Sequence, residues 1–390
     1  MRTQLVESYK PSLFLSSLGS GGLAVSFYLY LMFMIPHPTR PMATFEDIFP
    51  YVMRGDFISL LVVIDLAIIL FFALAHLRLL WWNIQEFSLF KKSEAFTRLK
   101  NSPEEVSLMA LPLTYAMTVN VLFILGGVFV PGLWSVVEYL FPGALIAFLA
   151  IGIYALKIFG DYFSRLLAFG GCDSKSNANF SKLIAVFAFS MISVGFAAPG
   201  AMSQSLLVNA IGLFFSIFFA ALAITFGLVI LVAGTKSMIK EGIHPETSVS
   251  LWVAIPILTV LGITATRMIH GFAHGFEHTQ AKPFIGFILA SLIFSLQLMF
   301  GYLGYKVMKK VGYFERFIWG EEKSASSFAI ICPGVAFFVF GMFFLSLALL
   351  SPGIIAPFSL PYFLFLIPFV AVQLLTIIVF KRLYEKLLAA

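Results

Sequence analysis

Long apolar stretches alternate with short polar breaks along this chain, ten times over. A membrane span needs about 20 consecutive apolar residues, more when it is tilted. Stretches of that length fall near residues 11–36, 56–84, 108–130, 133–167, 179–200, 204–238, 249–269, 282–311, 325–350 and 359–385. The pattern predicts an all-α integral membrane protein with about ten transmembrane helices. They form a single transmembrane domain over 1–390, with no separate soluble domain. Several even-numbered stretches exceed the bilayer thickness and are expected to project beyond it.

Prolines punctuate the odd-numbered stretches: Pro11, Pro112, Pro199, Pro256 and Pro333. A proline in a helix interior removes a hydrogen bond and clashes with the preceding turn. In lipid, the freed carbonyl is tolerated only where protein or a wet cavity satisfies it. The odd helices are therefore expected to be kinked and to face inward, as an inner ring around a pore or substrate path. Consecutive pairs then form five hairpins.

Composition agrees. Hydrophobic residues make up 60% of the chain and charged residues 11%, against about 25% charged in soluble domains. The bilayer is the first partner implied. Net charge is +6, but it resides in loop lysines and arginines. No basic stripe with interleaved aromatics calls for a nucleic acid. Cys172 and Cys332 supply neither a disulfide framework nor a metal spacing. The start shows no cleavable-signal pattern, so its apolar stretch is kept as the first helix. No nucleophile elbow or zinc-protease motif is present, and the glycines of Gly19–Gly22 lie inside a span with no strand before them. The expectation is no enzyme and no cofactor.

Basic residues also predict orientation. Lys91, Lys92, Arg98 and Lys100 follow helix 2; Lys306, Lys309, Lys310, Arg316 and Lys323 follow helix 8. Arg165, Lys175, Lys182, Lys236 and Lys240 follow helices 4 and 6. Arg2, Lys10, Lys381, Arg382 and Lys386 mark the termini. With an even number of helices, all of these fall on one side. The positive-inside rule makes that side cytoplasmic, in a bacterial inner (plasma) membrane. The links after helices 3, 5 and 9 are short and lack lysine and arginine.

Ionisable groups within spans are candidate functional residues, because burying them is costly. Asp65 lies mid-stretch, and His76 further along the same helix; both are candidates for ion coupling. Lys157, Asp161 and Arg165 recur at steps of four, a spacing that forms an ion-paired ladder on one helix face. Ser16, Ser20, Thr114, Thr118, Ser193 and Thr259 concentrate on the proline-bearing helices with Arg267. Such groups also mediate ordinary helix packing. Together with the prolines they are expected to line the path, because hydroxyls and exposed amides can hydrate an anion. His270, His274 and His278, with Glu277 beside them, also recur at steps of four. Three imidazoles on one face can hold zinc or copper; the alternative is a plain interfacial loop.

The stretch SSFAIICPGVAFF in helix 9 resembles the aromatic-rich, proline-centred stretch of the tellurite-resistance/dicarboxylate transporter family. That family includes bacterial tellurite-resistance channels and plant guard-cell slow anion channels. The ten helices, five hairpins and kinked odd helices resemble it over nearly the whole chain. The resemblance implies a homotrimer, each protomer having its own pore for small anions. In plant members a phenylalanine before the proline plugs the pore; here that position is Cys332. The gate implied is therefore Cys332 and Pro333, with Phe328 or Phe337 supplying the ring. Long links after helices 2 and 8 enlarge this chain relative to compact bacterial members.

Three functions are expected in order. The first is an anion channel or channel-like transporter for a small inorganic or organic anion. The second is an ion-coupled carrier for dicarboxylates or sulfur oxyanions, using Asp65 and His76. The third is a metal-handling or sensor protein using the histidines.

Overall fold

The structure, a computed structural model, describes residues 1–170, 177–279 and 282–389, apart from the side chain of His274. Among the described residues there are ten helices long and apolar enough to cross a membrane, and no strands. They are α1 (Pro11–Met34), α2 (Phe57–Phe90), α3 (Pro103–Phe129), α4 (Leu133–Phe169), α5 (Leu183–Met202), α6 (Leu206–Glu241), α7 (Pro245–Ala273), α8 (Pro283–Lys310), α9 (Ala325–Leu350) and α10 (Leu360–Leu387).

The odd helices close into a ring. α1 packs on α3, α3 on α5, α5 on α7, α7 on α9, and α9 returns to α1. Each even helix packs beside the odd helix that precedes it. Burial follows this division. In the most apolar stretch of each odd helix, 56–89% of residues are buried, against 17–33% in the even helices. The even helices present Phe71, Ile146, Leu207, Phe214 and Leu360 outward, each more than half exposed. Apolar side chains in that position suit lipid contact. The protein is thus a multi-pass membrane protein with an inner and an outer layer of helices.

The prolines sit elsewhere than mid-helix. α3, α7 and α9 each begin with 3₁₀ turns, over Pro103–Met109, Pro245–Val253 and Ala325–Ile330. Each then turns α-helical, and its proline is the third α residue: Pro112, Pro256 and Pro333. Pro11 opens a shorter 3₁₀ turn at the start of α1. Proline cannot donate to the carbonyl four residues back. It therefore marks the junction where i→i+3 bonding gives way to i→i+4. Pro199 alone lies deep within its α-helix, near the end of α5.

Both termini lie at one end of the bundle, where the Arg2 N–H donates to the Leu388 carbonyl at 2.9 Å. That terminal end is heavily tied. Buried Glu86 of α2 accepts from the Gln4 and Leu5 N–H groups, and Lys386 donates to the carbonyls of Phe317 and Gly320. Arg165 does not join a ladder with Asp161. It reaches across to buried Glu105 on α3 at 2.8 Å, while Lys157 and Asp161 stay exposed. A buried carboxylate needs a partner far more than exposed i,i+4 pairs need each other.

At the far end, the α1–α2 link carries a short helix, Phe45–Val52, that apolar periodicity alone does not show. Thr44 and Asp47 cap it reciprocally. Arg40 pairs with Asp47 at 2.7 Å, and Glu46 accepts from the Gly132 N–H of the α3–α4 turn at 2.7 Å. Gly132 takes φ +74°, a conformation that suits glycine. The two links are thereby fastened to each other.

Candidate functional site

A cavity of about 740 Å³ runs along the axis of the five odd helices. All five contribute to its wall, and α4 adds Phe141, Ala144 and Phe148. On the terminal side its wall begins near the proline junctions, at Pro256 and Cys332. Pro41, Met42 and Thr279 from the links border its far end. Between the proline junctions and the termini the interior is filled by packed side chains. Phe14, Met109, Leu113, Phe328 and Ile331 are all buried there in the core.

The wall is mostly hydrocarbon and thioether, including Met32, Met117, Met191 and Met202 with Phe123 and Phe148. A few neutral polar groups interrupt it, and Arg267 of α7 brings the one formal charge among the described lining residues. Its side chain lines the cavity and donates one hydrogen bond, to the Val194 carbonyl of α5 at 2.9 Å. A guanidinium has five N–H donors. Among the described residues, no carboxylate lies within ion-pair distance of it. An enclosed cation without a counter-charge is costly, and an anion that enters beside it recovers part of that cost. His270, three residues on and therefore on the same helix face, also lines the cavity.

Of the residues expected along the path, Thr259, Arg267 and Cys332 line the cavity. The other hydroxyls are engaged in packing. Ser16 donates to the Leu13 carbonyl, Ser20 to Phe72 of α2, and Ser193 to Ser216 of α6. Thr114 donates to the Ala110 carbonyl, and Thr118 to that of Thr114. A hydroxyl in a helix readily returns its proton to a nearby carbonyl, which removes it from the path. Thr259 itself donates toward the carbonyls of Ile255 and Ala336 and accepts from Gln297.

At the implied gate, Cys332 faces the cavity and Pro333 lies behind it. Phe337 stacks on Phe294 of α8 at 5.7 Å and meets Phe369 of α10 edge-to-face at 5.5 Å. Phe328 is fully buried, 6.4 Å from the Phe380 ring. Neither ring lines the cavity. Among the rings that do line the cavity, Phe148 comes from an outer helix and lies against Gly195, where an added Cβ would meet it at 2.2 Å.

Asp65 and His76 lie apart from the cavity wall. Asp65 is partly buried in α2, with one carboxylate oxygen enclosed and without a hydrogen-bond partner. His76 is fully buried and joins three helices. Its Nδ1 lies 2.8 Å from the Ser17 carbonyl, and its Nε2 lies 2.9 Å from the Thr118 hydroxyl. The three histidines do not share one helix face. The α-helix ends at Gly275, and His278 lies beyond it, exposed and with φ +52°. The His274 side chain, Cys172 and Lys175 lie outside the described residues. Among the described residues, no three His, Cys, Asp or Glu side chains are grouped to hold a metal.

No family model matches the chain, and no curated protein matches its sequence.

Proposed function

We propose that this protein carries anions across the membrane through the inner-ring cavity, with Arg267 as the group that binds them. The observation that supports this reading most is the guanidinium without a carboxylate partner in a largely apolar chamber on the bundle axis. In a low-dielectric site a single fixed charge acts strongly and selects by sign. The packed terminal-side interior makes the pathway a gated one, with Cys332 and Pro256 at the boundary between open and closed regions. The five-hairpin ring and the helix-9 stretch around Pro333 support membership of the tellurite-resistance/dicarboxylate transporter family, and with it a homotrimer with one pathway per protomer. The basic end, where both termini lie, is the cytoplasmic one in this reading. The test is an ion-replacement series in proteoliposomes. The reading requires flux that follows the anion gradient and ignores replacement of sodium or potassium. Flux that follows the cation alone contradicts it.

A second reading rests on Asp65. Its enclosed, unpartnered oxygen suits a group that takes up a proton during a transport cycle, which makes the protein a proton-coupled anion carrier. In that case Asp65→Asn abolishes pH-driven uptake while anion exchange continues; unchanged pH-driven uptake removes this reading.

A further inference from the structure

The composition of the cavity wall narrows the kind of anion, on the reading that Arg267 is the binding group. A small inorganic anion gives up its hydration shell only where polar donors surround it. A dicarboxylate needs two separate sets of donors. The wall offers one cluster. Its hydroxyls are already used: Tyr28 donates to the Ala43 carbonyl, Thr266 to the Gly262 carbonyl, and Thr259 to the carbonyls described above. The Asn120 amide points at the Met191 sulfur, 3.5 Å away. The donors left facing the chamber are those of Arg267, with His270 one turn further along, and the second N–H of the neutral Asn120 amide.

From there toward the proline junctions the wall is mostly apolar, interrupted by the engaged Thr259 hydroxyl and the Asn120 amide. Met117, Met191, Phe148, Val260 and Val335 surround a space far larger than one inorganic ion needs. Its volume lies in the range of about 300–1,000 Å³ typical of pockets that enclose organic ligands, which pair an apolar wall with a few orienting polar groups. Methionine adapts its shape to varied apolar surfaces.

We infer that the chamber takes an amphipathic organic monoanion, with its carboxylate on Arg267 and its aryl or alkyl body among the methionines and phenylalanines. A second carboxylate at the far end of such a molecule would be stranded in hydrocarbon. That excludes dicarboxylates by an uncompensated charge rather than by size.

The test is calorimetry on the full chain in lipid nanodiscs, with empty nanodiscs subtracted. The probes are 4-phenylbutyrate, its neutral amide, and succinate. Phenylbutyrate is expected to bind saturably at one site per chain, and the amide and succinate at least tenfold more weakly. Arg267→Gln is expected to weaken phenylbutyrate at least tenfold, and Arg267→Lys less. Met117→Asn, which puts an amide into the apolar part of the wall, is expected to weaken phenylbutyrate several-fold. Melting temperatures of the variants establish that they are folded. If succinate binds as tightly as phenylbutyrate, or phenylbutyrate does not bind at all, the inference fails. Chloride flux that still depends on Arg267 would then leave the anion pathway standing. Indifference of both binding and flux to Arg267 removes the pathway as well.

Discussion

The guanidinium of Arg267 on α7 donates to the main-chain carbonyl of Val194 on α5 at 2.9 Å, directly on the cavity wall. The bond anchors one terminal nitrogen of a long, flexible side chain and leaves most of its donors free. Its neighbour in the wall, Gly195, has a carbonyl that Pro199 cannot satisfy, because proline lacks the N–H four residues on. The end of α5 therefore offers acceptors to a cation and no side-chain bulk at Gly195. This arrangement needs a proline, a glycine and an arginine from two helices.

Cys332 reports on the chamber. It lines the wall at 8% exposure, so a small water-soluble thiol reagent reaches it only if the chamber is wet. In a Cys172→Ser background, modification is expected within minutes, and excess transported anion is expected to slow it several-fold. Cys332→Phe places a ring at the floor and is expected to lower flux per folded protomer. A thiol that reacts only after denaturation, together with unchanged flux in Cys332→Phe, contradicts an accessible path at this level.

Inner α5 and outer α6 are held by close backbone contact. A Cβ on Gly212 of α6 would lie 2.8 Å from the Gly200 nitrogen and 2.9 Å from the Phe196 carbonyl oxygen. Backbone atoms cannot turn aside as a side chain can. Gly212→Ala is expected to destabilise by about 1–3 kcal/mol, as overpacking does, and to lower the melting temperature in detergent. Gly160→Ala on α4 meets nothing within 4 Å and is expected to be neutral or mildly stabilising. Equal behaviour of the two variants contradicts the close packing.

The far-end fastening depends on pH. Burial pushes the Asp47 carboxyl upward, but the Thr44 N–H, the Thr44 hydroxyl and the Arg40 guanidinium outweigh it and hold the pKa below the usual value. Glu46 is lowered in the same way, chiefly by the Gly132 N–H against a burial penalty. A depressed folded-state pKa contributes stability at higher pH that is lost as pH falls through it. The protection factors over 40–52, exchange relative to the intrinsic rate at each pH, are therefore expected to be constant near neutrality and to fall below the ordinary carboxylate range of about pH 4. Asp47→Asn is expected to raise exchange at neutral pH. Protection lost near neutrality in the unmodified protein contradicts this account.

His76 ties α2 to α1 and α3 through Ser17 and Thr118, and it lies off the cavity wall. His76→Ala leaves buried polar groups without partners, at about 1–3 kcal/mol each. It is expected to lower the melting temperature while leaving the pH dependence of flux per folded protomer unchanged. A shifted pH dependence with unchanged stability assigns the ring to ion coupling instead.

The layered ring was legible because a proline, a charge or a polar loop changes what lipid tolerates. Ten apolar stretches and their basic links carry that information. The facing of individual side chains was not legible. Inner helices are apolar on every side, so periodicity does not separate cavity from core, and Met117 and Leu113 look alike in sequence. Hydroxyls misled for a related reason: Ser20 and Ser193 are inner-helix residues, yet each spends its proton on a carbonyl of the neighbouring outer helix. The junction prolines were visible as prolines, but the 3₁₀ turns before them depend on how the helix starts pack. Arg267 was legible only as one polar residue among the hydroxyls of the seventh stretch, near its end; its lack of a carboxylate partner depends on packing that the sequence does not display.

Anion flux per folded protomer in proteoliposomes, measured for the unmodified protein, Arg267→Lys and Arg267→Gln, tests the central claim most directly. The account predicts a loss of at least tenfold in Arg267→Gln and a smaller loss in Arg267→Lys, which keeps the charge but not the planar fork. Equal flux in all three proteins would contradict it.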